Sequence, residues 1–555
     1  MSDLLSYIKY LFLMENYTLS GQIVDVVAGR VYAGIIEIED GIIKSVLEDP
    51  GVVGPLIMPG LIDAHVHIES SMLVPSEFAR LAVVHGTTTV VADPHEIANV
   101  MGIEGIRFMI DNGKKVPFNF YFGAPSCVPA TAFETSGVVL GPEEVDEILS
   151  WPEIRYLSEM MNFPGVLNDD PEVSAKIASA KKYNKPVDGH APGLKGDSAA
   201  KYAKAGITTD HECFTMEEAL DKIKHGIKIL IREGSAARNF DELIPLISDH
   251  PKMVMFCSDD KHPDELVNGH INVLVQRAIA AGYNFMDIIR ACTFIPTGHY
   301  NLDICLLQKG DKADFILVDN AEDFNIIATY IAGRLVAENG VSLIESVPVE
   351  PINKFNPQMP TLEDLQVEAR DGSLKVIKAV NGQLVTSVLK VKAKTEAGNV
   401  VSDTERDILK LVVLNRYNPT KPAIGFVTGF NLKRGAIAST VAHDSHNIIA
   451  VGSDDQFILN AIELVIKNTG GISLYATHED NLLSLPVAGL MSTDDGYAVA
   501  GKYQLINRAV QNAGSDLDAP FMTLSFMSLL VIPELKLSDK GLFDSTTFSY
   551  TRLFD

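Results

Sequence analysis

Hydrophobic and polar positions change rhythm along the chain. From Gly21 to Leu56 short β-rich runs, IVDVVAG, VYAGIIEIED and GIIKSVLED, are punctuated by Gly and Asp and predict a small meandering antiparallel sheet. Runs of the same kind return at Asp314 to Asp319 (DFILVD) and Thr329 to Gly340 (TYIAGRLVAENG). Between them short apolar strands alternate with helix-compatible text, the signature of a parallel sheet. Eight strand candidates occur there: LIDAHVH, TTTVVAD, FNFYFGA, IRYLSEM, KPVDGHA, GITTDHE, IKILIRE and KMVMFCSDD. Eight strands close a (β/α)8 barrel, whose chemistry sits at the C-terminal strand ends. After Gly340 the alternation stops. The proline-rich stretch VPVEPINKFNPQMP (Val347 to Pro360) leads into a block that mixes strand-like runs such as LKVIKAV with helices such as DQFILNAIELVIKNTGG.

The reading is an α/β protein of three parts. A (β/α)8 TIM barrel occupies residues 58–303. A small β-sandwich domain is assembled from both flanks, 15–57 and 304–345, and a C-terminal α+β domain covers 361–555. A length of 555 residues, which allows roughly three to five folding units, accommodates this division.

Charge then narrows the partners. With 72 acidic against 46 basic side chains the net charge is -26, a field that repels nucleic-acid phosphates and anionic lipid. No nucleic acid and no membrane partner is expected, and a homo-oligomer is. The apolar run from Tyr7 to Met14 is interrupted by Lys9 and lacks a basic leader or a cleavage site, and no run approaches the roughly 20 apolar residues of a spanning helix. The five cysteines are scattered without paired spacing and read as reduced thiols. The expected location is the cytoplasm.

The candidate chemistry collects at strand ends. His65 and His67 close the first strand two residues apart, so both imidazoles can enter the barrel mouth and share a metal. An H-x-H pair alone is weak evidence, but Glu159 closes the fourth strand, His190 the fifth, His211 the sixth and Asp259 the eighth. Each one singly reads as a cap or a satisfied histidine. Six such groups at one rim are costly unless cations occupy it. Six ligands exceed one tetrahedral ion and fit two divalent ions, with His65, His67 and Asp259 on one, His190 and His211 on the other, and Glu159 between. The bridging water is then a hydroxide near neutral pH. The donor set favours manganese, iron or zinc.

Around the ligands, Glu69, Ser70, Arg232 and Glu233 lie in loops that face the mouth and are candidates to bind substrate. Asp93 and His95 end the second strand as an auxiliary metal or proton-relay pair, or as a turn-forming Asp-Pro and a hydrogen-bonded His. Asp260 orients Asp259 or binds a backbone amide. His443, Asp444 and His446 have metal-like spacing in the C-terminal block and read as a polar cluster or a contact over the barrel mouth. His85, His225, His250, His262, His270, His299 and His478 have no comparable setting.

The strand MPGLIDAHVHIES with its later Glu, His, His and Asp strand ends resembles the amidohydrolase superfamily. More narrowly, DAHVHIESSM, GTTTVVADPHEIANVMG, EMMNFPGV, GHAPGL, GITTDHE, ILIREGSAARN and CSDD, with AHDSHNIIAVGSDD and PFMTLSFMSLLVIPELKLSDKGLFD, resemble the adenine deaminase family from about Gly21 to Asp544. Ser258 and Asn272 depart from the family pattern without touching the ligands. The resemblance implies hydrolysis of the free base adenine to hypoxanthine and ammonia in purine salvage, two metal ions with Mn2+ foremost, and Asp259 and Glu159 as catalytic carboxylates. The competing readings are a dihydroorotase-like or hydantoinase-like amidohydrolase, in which a carboxylated lysine often bridges, and a non-catalytic scaffold.

Overall fold

A computed structural model describes residues 16–476 and 479–555. The run Tyr7 to Met14, residue 15 and His478 lie outside the described residues.

All eight expected barrel strands form: β1 (Leu61–Val66), β2 (Thr87–Ala92), β3 (Asn119–Ala124), β4 (Ile154–Met160), β5 (Val187–Gly189), β6 (Thr209–Asp210), β7 (Lys228–Arg232) and β8 (Val254–Cys257). Neighbours pair in parallel from β1 to β5 and from β6 to β8. Thr208 N–H donates to Val187 C=O at 2.9 Å across the first gap, and Asp259 N–H to His65 C=O at 2.9 Å across the second, so the ring closes. The strands are rich in Val, Ile, Thr, Phe and Tyr and buried on both faces, as a parallel sheet covered by helices requires. Between strands, helices begin on local caps. Thr215 accepts from Glu218 N–H ahead of Met216–Lys224, and Asp170 accepts from Glu172 and Val173 N–H ahead of Pro171–Lys182.

The two flanks meet in one continuous eight-stranded sheet. Leu56–Pro59 pairs in parallel with Tyr17–Asp25 and antiparallel with Phe315–Val318, so the strand that leads directly into β1 joins them. Alternation divides its two faces. Ile57 joins Ile23, Ile36, Ile38, Ile43 and Phe315 in a core enclosed by the sheet itself. Leu56 and Met58 join Val24, Ile316, Ile229 and Phe256 in the core shared with the barrel.

The C-terminal unit is a second eight-stranded mixed sheet with helix Asp455–Lys467 packed on Ala436–Ser439, Ile448–Gly452 and Gly471–Ala476. Its helix Gly496–Asn512 docks on helix Pro75–Ala82. There Arg80 holds Asp495 at 2.6 Å and Gly496 N–H donates to Glu77 at 2.8 Å. One apolar cluster runs from Ile97 and Met109 of the barrel to Tyr503 and Phe526 of the C-terminal unit, which fixes that unit over the barrel mouth. Among the described residues no helix is long and apolar enough to cross a membrane.

Candidate metal centre

On β1 Ile62 and Ala64 face the barrel interior with Val91, Tyr156, Leu230 and Met255, so Asp63 between them turns into the barrel wall, and an irregularity between Asp63 and Val66 brings His65 to the mouth with His67. Asp63 is fully buried in that wall, accepting from Ser258 N–H at 3.0 Å and lying 2.8 Å from Nε2 of His270, which caps the outer helix Ile271–Ala280. His65 and His67 have their Nε2 atoms 3.2 Å apart. Asp259 Oδ1 is 3.6 Å from His65 Nε2 and 3.2 Å from His67 Nε2. Glu159 reaches between the two halves, with Oε1 3.4 Å from His67 Nε2 and Oε2 2.7 Å from His190 Nδ1 and 3.1 Å from His211 Nε2. The six expected ligands are therefore in one place. Asp259 takes a left-handed backbone, φ 57°, which Asp tolerates better than most residues and which stores strain where the chain turns into the site.

The donor set fits metal on two counts. His67 Nδ1 lies 3.2 Å from the Asp93 carbonyl, an oxygen that can only accept, so this nitrogen carries the proton and Nε2 presents a lone pair. A lone pair facing another imidazole nitrogen and two carboxylate oxygens is repulsive unless a cation lies among them. The spacing agrees. Ligand atoms about 2.1 Å from one tetrahedral ion are about 3.4 Å from each other, and here the contacts of His65, His67, Asp259 and Glu159 run from 3.2 to 3.6 Å. His65 Nδ1, His190 Nε2 and Glu212 Oε2 are buried without a hydrogen-bond partner.

Electrostatics keep the carboxylates charged. Burial raises the Glu159 carboxyl, but His190 and His211 outweigh it and hold it well below the usual range. At Asp259 burial is likewise outweighed by the Arg232 guanidinium and by His65 and His67.

Residues 56–336 match the amidohydrolase family, and residues 383–549 match the adenine deaminase C-terminal domain. Curated relatives named adenine deaminase match nearly end to end. That of Salinibacter ruber is 51% identical over 541 residues, covering 97% of this chain and 99% of the relative. That of Sulfurovum sp. is 52% identical over 528 residues, covering 95% and 98%. That of Methanosarcina mazei is 52% identical over 558 residues, covering 98% and 100%. This chain belongs to the adenine deaminase family.

The site of this family member extends past the six ligands. Asp93 and His95 lie nearer to the centre than a turn requires, His95 Nδ1 being 3.2 Å from Asp93 and 3.5 Å from Glu159. Asp93 serves the turn as well, accepting from His95 N–H at 3.1 Å. Arg232 sits in the cavity wall, donating to Glu212 at 2.5 Å and to Asp259 Oδ2, while its Nε and Nη2 have no hydrogen-bond partner. Three expected substrate contacts fall elsewhere. Glu233 turns outward to Arg277 at 2.6 Å. Ser70 donates to Asp260 at 2.5 Å, which is also the partner Asp260 takes in place of a backbone amide. Glu69 lies beneath the rim, accepting from Ile97 N–H at 3.2 Å, and burial pushes its carboxyl up to about 7.

Two further acids enter the site. Glu212 stands 3.5 Å from His211 Nε2 and 3.7 Å from His190 Nδ1. Glu96 lines the cavity at the mouth of the six candidate ligands together with His443 and Asp444, and Leu384, Phe526 and Leu529 of the C-terminal unit give it an apolar wall. Both acids had a legible signal, since each directly follows a strand-end histidine in the sequence, His95 and His211. The contact of the His443 to His446 segment over the barrel mouth is present, through Glu96.

Proposed function

We propose that this protein is a metal-dependent aminohydrolase that converts the free base adenine to hypoxanthine and ammonia. The observation that carries the reading is Glu159, whose two oxygens separately face His67 and the His190–His211 pair, as a ligand shared by two ions must. The near full-length relatives supply the substrate by name. A small neutral base suits a chain of net charge -26.

His65, His67 and Asp259 would hold one ion and His190 and His211 the other, with Glu159 between them. Mn2+ is the first choice, ahead of Fe2+ and Zn2+. Such a pair supplies Lewis-acid activation of water near neutral pH. The chain's own part is proton handling and placement. Asp259 takes a proton from the attacking water and passes it toward the amine that leaves as ammonia, while Arg232 clasps its Oδ2 and fixes the plane of the carboxylate. Glu159 has its lone pairs directed at imidazoles and ions, so it serves as a ligand before it serves as a base. Leu384, Phe526 and Leu529 exclude water from the apolar faces of the base. The same reading includes a division at residues 15–57 with 304–345, 58–303 and 361–555, a homo-oligomer and a cytoplasmic location.

Ammonia release from adenine, adenosine, cytosine and dihydroorotate, measured with manganese-loaded protein, tests the assignment. Adenine is expected to be turned over far ahead of the others. Preference for adenosine, or turnover of dihydroorotate alone, overturns it.

A further inference from the structure

Glu96 is buried at the first turn of helix His95–Met101, and no backbone amide or hydroxyl among the described residues bonds either of its oxygens. Its partners are imidazoles that arrive from the C-terminal unit. His443 Nδ1 is 2.6 Å from Oε1, and His446 Nε2 meets Oε2. The backbone fixes the role of His446. Its Nδ1 accepts from Ala442 N–H at 3.2 Å, so in the neutral ring the proton is on Nε2, which makes this imidazole a hydrogen-bond donor to Glu96 and leaves no lone pair for an ion.

The segment carrying both rings is tied down on several sides. Arg416 donates to His446 C=O at 3.2 Å, Tyr417 OH to Ser445 C=O at 2.6 Å, and Ser528 Oγ to His443 C=O at 3.2 Å. Asn447 donates at 3.0 Å to Thr135 C=O on the barrel side, and the His443 ring stacks on Phe526 with centroids 4.8 Å apart. On the other side His95 separates Glu96 from the metal ligands, with Nδ1 3.5 Å from Glu159 and Nε2 3.4 Å from Glu96. Glu96 is thus one imidazole ring farther from the ions than Glu159, too far to ligate them and placed for the distant edge of a planar base whose reacting carbon lies at the ions.

We propose that the C-terminal unit completes the substrate site: His443 and His446 are positioning residues that hold the Glu96 carboxylate as the acceptor for a ring N–H of the purine. The inference rests on the adenine reading and adds the group that recognises the base. A carboxylate anchored by two donors keeps a free lone pair toward the cavity and pays little entropy on binding, whereas an untethered glutamate would sample several rotamers.

The test uses full-length, manganese-loaded protein carrying His446→Leu, His446→Gln, His443→Leu or His443→Asn. The Gln and Asn side chains restore an N–H donor near the lost nitrogen. KM and kcat for adenine, metal content and thermal midpoint are read for each. The two Leu variants are expected to raise KM roughly 10- to 100-fold, the worth of a hydrogen bond to a charged group, with kcat within about threefold of wild type. Metal content should stay at wild-type level, and the Gln and Asn variants should recover most of the KM. If a Leu variant does not fold, Glu96→Gln reads the same site and should show the same rise in KM. Wild-type KM in the Leu variants or in Glu96→Gln, Gln and Asn variants no better than Leu, or activity lost in step with metal overturns the positioning role while leaving the deaminase reading intact. Wild-type protein that releases no ammonia from adenine overturns the deaminase reading itself.

Discussion

Below the rim Asp63, in the barrel wall, and Asp188, in the floor, are buried, yet each of their oxygens meets a protein donor. Asp63 receives Ser258 N–H and Oγ–H and faces His270, whose other nitrogen is 2.8 Å from Thr87 Oγ1. Asp188 receives Thr209 at 2.7 Å and Tyr300 at 2.8 Å. One layer up, the same residue types are arranged the other way. His65 and His67 point nitrogens at each other, and Glu159 and Asp259 direct oxygens into the same space. The level below pairs donors with acceptors and is complete as protein. The rim collects acceptors and becomes electrostatically reasonable only with cations. Burial and residue type alone therefore do not mark a metal site; the direction of the lone pairs does.

Substitutions at the two levels should separate accordingly. The largest effect is expected from Glu159→Gln, which removes the ligand shared by both halves. Activity on adenine should fall on the order of 10³-fold or more, together with loss of bound metal measured by elemental analysis. Retention of wild-type metal and rate would erase the distinction between the rim and the level below it. Asp259→Asn should lower kcat on the order of 10²- to 10⁴-fold in steady-state assays. Full activity with metal in place would remove its role as the proton carrier.

Asp63→Asn tests the level below the rim. It weakens charge-assisted bonds worth about 1.5–3 kcal/mol each, so the thermal midpoint should drop while metal content is unchanged. Metal loss without a drop in stability would place Asp63 functionally with the rim.

The smallest effect concerns a buried cation that also has only protein partners. Lys536 donates to the carbonyls of Leu384 and Phe526 at 2.8 and 2.9 Å, and burial pushes its ammonium down to about 7. Below that pH the folded chain carries the full cost of a buried charge. From pH 7 toward 10.5 the unfolded chain binds more protons than the folded one, so this contribution to stability improves as pH rises. Thermal midpoints at pH 7 and 9.5 should show wild type gaining relative to Lys536→Met. A difference between the two proteins that does not change with pH would contradict the buried-charge account.

Much of this was legible in the sequence because strand ends in a barrel carry their own address. The alternation of apolar strands and helices located β1 to β8, and residues at or just past the ends of β1, β4, β5, β6 and β8 gave the six candidate ligands. The substrate role of Glu69 was misread because a residue just past a strand end can turn beneath the rim as readily as into the mouth. Glu233 was misplaced for a related reason: a loop residue after β7 can turn either way, and Arg277, on a helix after β8, decided it. Glu96 with His443 and His446 was not legible as a unit, since those residues meet only through docking of the C-terminal unit on the barrel. No local pattern encodes that contact, although the AHDSHN text drew attention to one half of it.

The central claim is that the rim is built around two cations, and metal stoichiometry tests it most directly. Protein purified from manganese-replete medium, analysed for transition metals against chain concentration, should hold about two ions per chain, and removal by chelation should abolish ammonia release from adenine until metal is restored. Fewer than about one ion per chain, with activity unaffected by chelation, would contradict it.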